Sequence, residues 1–219
     1  MADRQAAVGR LCDKGIVAVV RASSSEQLID VSAALLDGGV DCIEITMTTP
    51  NALRVIADCR RAVPQAMVGV GSVLSADVAR AAIDAGAQFV VSPIFKSEII
   101  AAAHAADLPA VPGCFTPTEI LTATEAGADM VKVFPAGRLG PGFFKDILAP
   151  LPHLKLTPTG GVDLGSAAAW IAAGAVTLGA GSSLVTKAAL AVGDLGEIKR
   201  RAGEFVRIVA EAREAKRKA

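Results

Sequence analysis

Histidine is nearly absent from this 219-residue chain, which has only His104 and His153, in separate segments. A zinc- or iron-dependent reaction therefore lacks its usual ligands. His104 falls in an alanine-rich helical stretch and His153 in a proline-flanked turn, so both read as surface residues. The four cysteines, Cys12, Cys42, Cys59 and Cys114, are far apart and form neither a C-x-x-C nor a metal spacing. Cys42 and Cys114 lie in or beside apparent strands and read as small core residues, which suits a reduced, cytoplasmic setting. Aromatic residues make up only 4% of the chain, and Lys plus Arg equal Asp plus Glu at 22 each. No basic face interleaved with aromatics points to nucleic acid. No window resembles an uncharged membrane span, and the start, MADRQAAVGRLCDKG, is a charged helical pattern without a signal-type apolar run. No G-x-G-x-x-G follows the first strand, so the dinucleotide fingerprint is missing. The expectation is a soluble cytoplasmic protein with no membrane partner.

Hydrophobic residues make up 52% of the chain, enough for an ordinary core, and the length suits a single domain over 1–219. Short apolar runs alternate with alanine-rich amphipathic stretches. The runs predict strands at 16–21, 41–46, 67–71, 88–92, 109–112, 129–134, 154–158 and 175–179. Helical patterns lie near 25–37, 51–62, 75–85, 97–106, 117–126, 140–149, 164–173 and 195–216. Strands rich in Val and Ile, joined by helices, predict a parallel sheet buried on both faces. Eight such units predict a single α/β domain of the (β/α)8 TIM barrel type with an extra N-terminal helix. An open doubly wound sheet is the rival. Ser23-Ser24-Ser25 reads as a helix cap leading into Glu26 and Gln27, and the terminal EAREAKRKA as a solvated, fraying helix end.

An internal repeat favours the barrel. DGGVDCIEI, DAGAQFVVS, EAGADMVKV and AAGAVTLGA each place a glycine just past a helix and before a strand. Gly39, Gly86, Gly127 and Gly174 are thus predicted left-handed caps. Five residues beyond them stand Glu44, Val91, Lys132 and Gly179. In this barrel type, alternate strands supply four side chains to each interior layer, so equal register puts these four at one level. Lys132 sits inside the apolar run Met130-Val131-Lys132-Val133-Phe134-Pro135, and a lysine is rarely buried without a partner or a use.

Loss of solvation lowers the pKa of a buried lysine. At the ordinary value of about 10.4, about one lysine in 2,500 is a free amine at neutral pH; at about 7.5 it is about one in four. A free amine attacks carbonyls. Glu44, across the same layer, could exchange protons beside it, although an opposite charge also favours the ionised lysine. A structural Lys132–Glu44 ion pair is the alternative.

The strand ends carry the other polar groups. Strand 1 ends in Arg21, strand 2 continues to Thr46 and Thr48, and strand 3 ends in Gly71-Ser72. Strand 7 runs into Thr159-Gly160-Gly161 and strand 8 into Gly179-Ala180-Gly181-Ser182-Ser183. In (β/α)8 barrels the loops after strands 7 and 8 frequently hold a phosphate on backbone N–H groups. Arg21 reads as a carboxylate or phosphate ligand, or as a cap on the barrel end.

With these residues in view, the chain resembles the bacterial class I aldolases that act on 2-keto-3-deoxy-6-phosphogluconate (KDPG) and 4-hydroxy-2-oxoglutarate (KHG). The motifs carrying the likeness are VVRA, GGVDCIEIT, GVGSVL, VSP, PGCFTPTE, KVFPA, GP-x-F-x-K and PTGGV. The resemblance implies that Lys132 forms the Schiff base and that Glu44 transfers protons. It further implies that Arg21 and Ser72 contact the pyruvoyl part, and that Pro93, Phe134 and Thr159 line the pocket. Gly160, Gly161, Gly181 and Ser182 would hold the phosphate end. The implied partners are a phosphorylated keto acid and, in a homotrimer, two further copies of the chain; no cofactor and no metal are implied. One position departs from the pattern. Many members carry a substrate-binding arginine where this chain has Thr48, which leaves the preferred substrate open, a 6-phosphogalactonate analogue included. A non-aldolase phosphosugar-binding barrel and an isomerase or epimerase remain as alternatives.

Overall fold

A computed structural model describes residues 3–22 and 26–218, so the Ser23-Ser24-Ser25 cap lies outside the described residues. Helix α1 (Arg4–Lys14) begins where the Asp3 carboxylate accepts from the Ala6 N–H at 2.9 Å. It ends at Gly15, whose φ of 69° turns the chain directly into β1 (Ile16–Val20). There follow α2 (Leu28–Asp37), β2 (Cys42–Thr46), α3 (Ala52–Ala62), β3 (Met67–Gly71), α4 (Ala76–Asp84) and β4 (Val90–Val91). Then come α5 (Ser97–Ala105), β5 (Ala110–Val111), β6 (Gly113–Cys114), α6 (Pro117–Glu125) and β7 (Val131–Val133). The last part holds α7 (Pro141–Leu148), β8 (Leu156–Pro158), α8 (Ala167–Ala172), β9 (Leu178–Ala180), α9 (Lys187–Val192) and α10 (Leu195–Lys218).

The chain is an α/β fold in which every strand pairing is parallel. Six strands pair in the order β5-β4-β3-β2-β1-β9 and three in the order β6-β7-β8. Pro112 separates β5 from β6. It has no N–H to give a ladder, so of the strand expected at 109–112 only Ala110–Val111 pairs with β4, and a second short piece beyond the expected end, Gly113–Cys114, pairs with β7 on the other side. At the other edges, an isolated parallel bridge between Thr159 and Gly179 joins the end of β8 to β9.

The four repeat glycines have the left-handed backbone their position demands, with φ of 91° at Gly39, 103° at Gly86, 96° at Gly127 and 108° at Gly174. One apolar core lies between strands and helices, where Trp170 of α8 meets Phe144 of α7 edge-on at 5.1 Å. A smaller one lies on the inner side of the strands: Leu11, Val17, Cys42, Met67, Phe89, Val91, Val111 and Met130. Leu11 comes from α1, so that helix supplies the floor of the inner core.

Several expected bounds move. The run at 88–92 forms ladder only at Val90–Val91, and the final strand is Leu178–Ala180 rather than 175–179. A 3-10 turn at Ala136–Arg138 and helix α9 occupy stretches where no element is predicted. The terminal segment is helical to Lys218 and is anchored rather than simply solvated. Arg213 donates to the carbonyls of Asp13 at 2.6 Å, of Val176 at 2.8 Å and of Cys12. Its guanidinium ties α10 to the end of α1 and to the approach of β9. Among the described residues, no helix is long and apolar enough to cross a membrane.

Candidate active site

Lys132 is the middle residue of β7, and its neighbours Val131 and Val133 point into the strand–helix core. Strand alternation therefore sends the lysine to the inner side, where it is only 5% exposed. Glu44 is the middle residue of β2 and is 3% exposed. The two meet inside the molecule with Nζ 3.9 Å from Oε1, too long for a hydrogen bond and short enough for one atom to bridge. Among the described residues, Glu44 Oε1 has no hydrogen-bond partner. Burial holds the Glu44 carboxyl above the usual range; the positive charges of Lys132 and Arg21 pull it down.

Space for the pair comes from glycines. A methyl group on Gly71 would overlap Oε1 of Glu44, and one on Gly179 would overlap Oγ1 of Thr159. Glu44, Val91, Lys132 and Gly179 all line one cavity, together with Thr157, Thr159, Thr177, Leu11 and other inner-core residues. The four positions picked out by the repeat thus face the same interior space.

The remaining expected residues lie at the strand exits, and of them Thr159 lines this cavity. The Phe134 ring centre lies 5.2 Å from Lys132 Nζ, and that ring also flanks Gly160. Ser72 is half-buried at the exit of β3 with φ of 60°, a left-handed conformation that costs a non-glycine residue about 1–3 kcal/mol. Pro93 is half-buried after β4, its carbonyl packed against Gly113. Gly160 and Gly161 take φ of 80° and 84° in succession, and the Gly160 carbonyl accepts from Gly137 N–H at 2.7 Å. Gly181 opens a turn in which its carbonyl accepts from Leu184 and Val185 N–H; Ser182 is exposed on that turn. The two glycine-rich loops are linked where Ser183 Oγ donates to the Val162 carbonyl at 2.6 Å.

Arg21 is exposed at the end of β1 and reaches the pair through its field on Glu44. Thr48 is exposed, and its hydroxyl is 2.9 Å from that of buried Thr46. Thr48, Pro93 and Ser182 are not part of the lining of the cavity that holds the Lys132–Glu44 pair. Thr157 and Thr177 were missed by the motif reading, although period-two counting back from Thr159 and Gly179 finds both. His104 is not a plain surface residue: its Nε2 lies 3.0 Å from Asp129 Oδ2, in a structural pair just before β7 begins. Cys42 and Cys114 are buried strand residues and all four cysteines are free. Among the described residues, no three His, Cys, Asp or Glu side chains are grouped to hold a metal ion.

Comparison with known proteins adds to this geometry. Residues 9–201 match the family described as KDPG and KHG aldolase. A 2-dehydro-3-deoxy-phosphogluconate aldolase of Treponema pallidum (strain Nichols) is 34% identical over 195 residues, 89% of this chain and 93% of that protein. A 2-dehydro-3-deoxy-6-phosphogalactonate aldolase of Escherichia coli (strain K12) is 34% identical over 173 residues, 77% of this chain and 83% of that protein. A solved native KDPGal structure superposes with a TM-score of 0.85 at 31% identity, over 91% of this chain and 96% of that one.

Proposed function

The chain belongs to the KDPG and KHG aldolase family, and we propose that it cleaves a 2-keto-3-deoxy-4-hydroxy acid to pyruvate and an aldehyde by a lysine imine. An aldolase is a lyase, so the bond broken is carbon–carbon. One observation carries the reading: a buried amine lies 3.9 Å from a buried carboxyl oxygen that has no hydrogen-bond partner among the described residues. A purely structural ion pair is the poorer account, because a buried pair that stabilises needs good hydrogen-bond geometry.

Lys132 attacks the C2 ketone as the free amine; the C2 oxygen takes one proton that leaves Nζ by way of Glu44 and one from the medium, departs as water, and a protonated imine forms. That cation withdraws electrons from the C3–C4 bond. Glu44, as carboxylate, takes the C4 hydroxyl proton as the bond breaks, directly or through a water. The enamine is then protonated at C3 and the imine hydrolysed to release pyruvate. Arg21 and the Ser72 hydroxyl hold the substrate carboxylate, while Phe134, Pro93 and Thr159 wall the reacting carbons. Gly160, Gly161, Gly181 and Ser182 offer N–H groups to a phosphate on the aldehyde half. The substrate read first is 2-keto-3-deoxy-6-phosphogluconate, with 4-hydroxy-2-oxoglutarate second. Thr48 in place of arginine favours testing the 6-phosphogalactonate acid beside them, and the relative in Escherichia coli named for that acid supports its inclusion.

On this reading the six- and three-stranded sheets form one closed (β/α)8 barrel over 1–219, with α1 across its amino-terminal end. The Thr159–Gly179 bridge and the shared strand at Pro112 support closure. The assembly read from the resemblance is a cytoplasmic homotrimer, and the exposed Leu74, Ile94 and Phe115 suit faces that a neighbour would cover.

Incubation with pyruvate and borohydride is expected to add mass irreversibly at Lys132. Glu44→Gln is expected to keep this labelling and to lose about 100-fold or more in turnover. An unlabelled Lys132 with pyruvate release intact removes the assignment. A panel of the three acids, scored by pyruvate release, ranks the substrates.

A further inference from the structure

Two residues below each member of the Glu44–Val91–Lys132–Gly179 level lies a second level: Cys42, Phe89, Met130 and Thr177. Three of these belong to the inner apolar core, and the fourth is a threonine. Thr177 is 1% exposed and lines the same cavity as Lys132 and Glu44. Among the described residues, its Oγ1 has no hydrogen-bond partner, and Glu44 Oε1 is in the same condition. A valine would fill this place at no polar cost, whereas an unsatisfied buried hydroxyl is destabilising. Two such oxygens, on residues that line one cavity, point to a shared ligand.

The cavity lining shows where that ligand sits. Lys132 is opposite Thr157 in the β7–β8 register. Thr177 lies just before β9, two residues ahead of the Gly179 that bridges to Thr159. Lys132, Thr157 and Thr177 all line the one cavity, with Thr177 on the side where β9 begins, away from the strand exits. The cavity volume of about 20 Å³ suits a single water, and Lys132, Glu44 and the threonines in an otherwise apolar wall offer the two to four partners a buried water needs.

We propose that Thr177 is a positioning residue for the reaction: it holds a water between Lys132 Nζ and Glu44 Oε1 from beneath. The inference rests on the aldolase reading. When the amine bonds to C2, an Nζ proton passes to this water while one of the water's protons passes to the Glu44 carboxylate. The nitrogen loses one proton, the carboxylate gains it and passes it to the C2 oxygen, and both the water and the carboxylate are regenerated. Thr177 donates to the water oxygen and fixes it, with Thr157 alongside. The lining contains no titratable groups besides Lys132 of β7 and Glu44 of β2, and Arg21 acts from the end of β1.

Thr177→Val keeps the shape and removes the hydroxyl. Its rate of borohydride trapping with pyruvate is expected to fall about tenfold, the worth of one net hydrogen bond. The acid limb of its pH–rate profile is expected to move to higher pH, because Glu44 loses a hydrogen bond to its ionised form. Thr177→Ser should recover most of the rate. If Thr177→Val does not fold, Thr177→Ala serves the same arm. A hydroxyl-free variant that matches wild type in trapping rate and pH profile, and is merely more stable, overturns the proposal and leaves the aldolase reading intact. Wild-type protein that is never trapped at Lys132 overturns both.

Discussion

Glu44 sits where a carboxylate is least at home, and desolvation holds its carboxyl above the ordinary range against the pull of Lys132 and Arg21. In the unfolded chain it ionises at the ordinary value. Between that pH and the raised one the native state holds more protons than the unfolded state, so stability falls as pH rises through this window. The contribution is complete below the ordinary carboxylate pKa and lost above the folded one. Glu44→Gln has no such slope. Urea unfolding from pH 4 to pH 8 is therefore expected to show the variant gaining on wild type as pH rises. A difference that stays constant across this range would mean the carboxyl titrates alike in both states.

At the scale of elements, α10 does more than cover the outside. The fork of Arg213 reaches carbonyls at the end of α1 and before β9, which lie almost the whole chain apart in sequence. A planar guanidinium can serve such carbonyls together; an ammonium cannot. Arg213→Ala and Arg213→Lys are both expected to lose about 1–3 kcal/mol in chemical denaturation, charged hydrogen bonds being the stronger kind. A lysine variant as stable as wild type would reduce this clamp to a simple surface charge. The clamp was not legible in EAREAKRKA, because a charged segment at a helix end reads the same whether its cations face water or backbone. The element count was legible for the opposite reason: alternation and the cap glycines are local signals. The division at Pro112 had a local signal as well, since proline cannot donate to a ladder, but which strand each half would pair with depends on neighbours distant in sequence.

For the whole molecule, the repeat is what made the site readable. Equal spacing from Gly39, Gly86, Gly127 and Gly174 placed four residues at one level, and the four line one cavity. The exits were less readable, because loop geometry after a strand is not periodic: Arg21 and Thr48 ended exposed, outside the cavity lining. Gly179 joins these two aspects. It belongs to the repeat level, and it makes the bridge to Thr159 between the two sheets. A methyl group there would overlap Thr159 Oγ1, so Gly179→Ala is expected to cost about 1–3 kcal/mol through overpacking. The same methyl narrows the cavity, so pyruvate labelling at Lys132 should slow as well. Thr159→Ala removes the hydroxyl in the way. If the contact is the cause, the double variant costs clearly less than the sum of the singles, as coupled neighbours do. Additive losses would place the damage in the backbone of β9 instead, and the join between the sheets would not depend on the missing side chain.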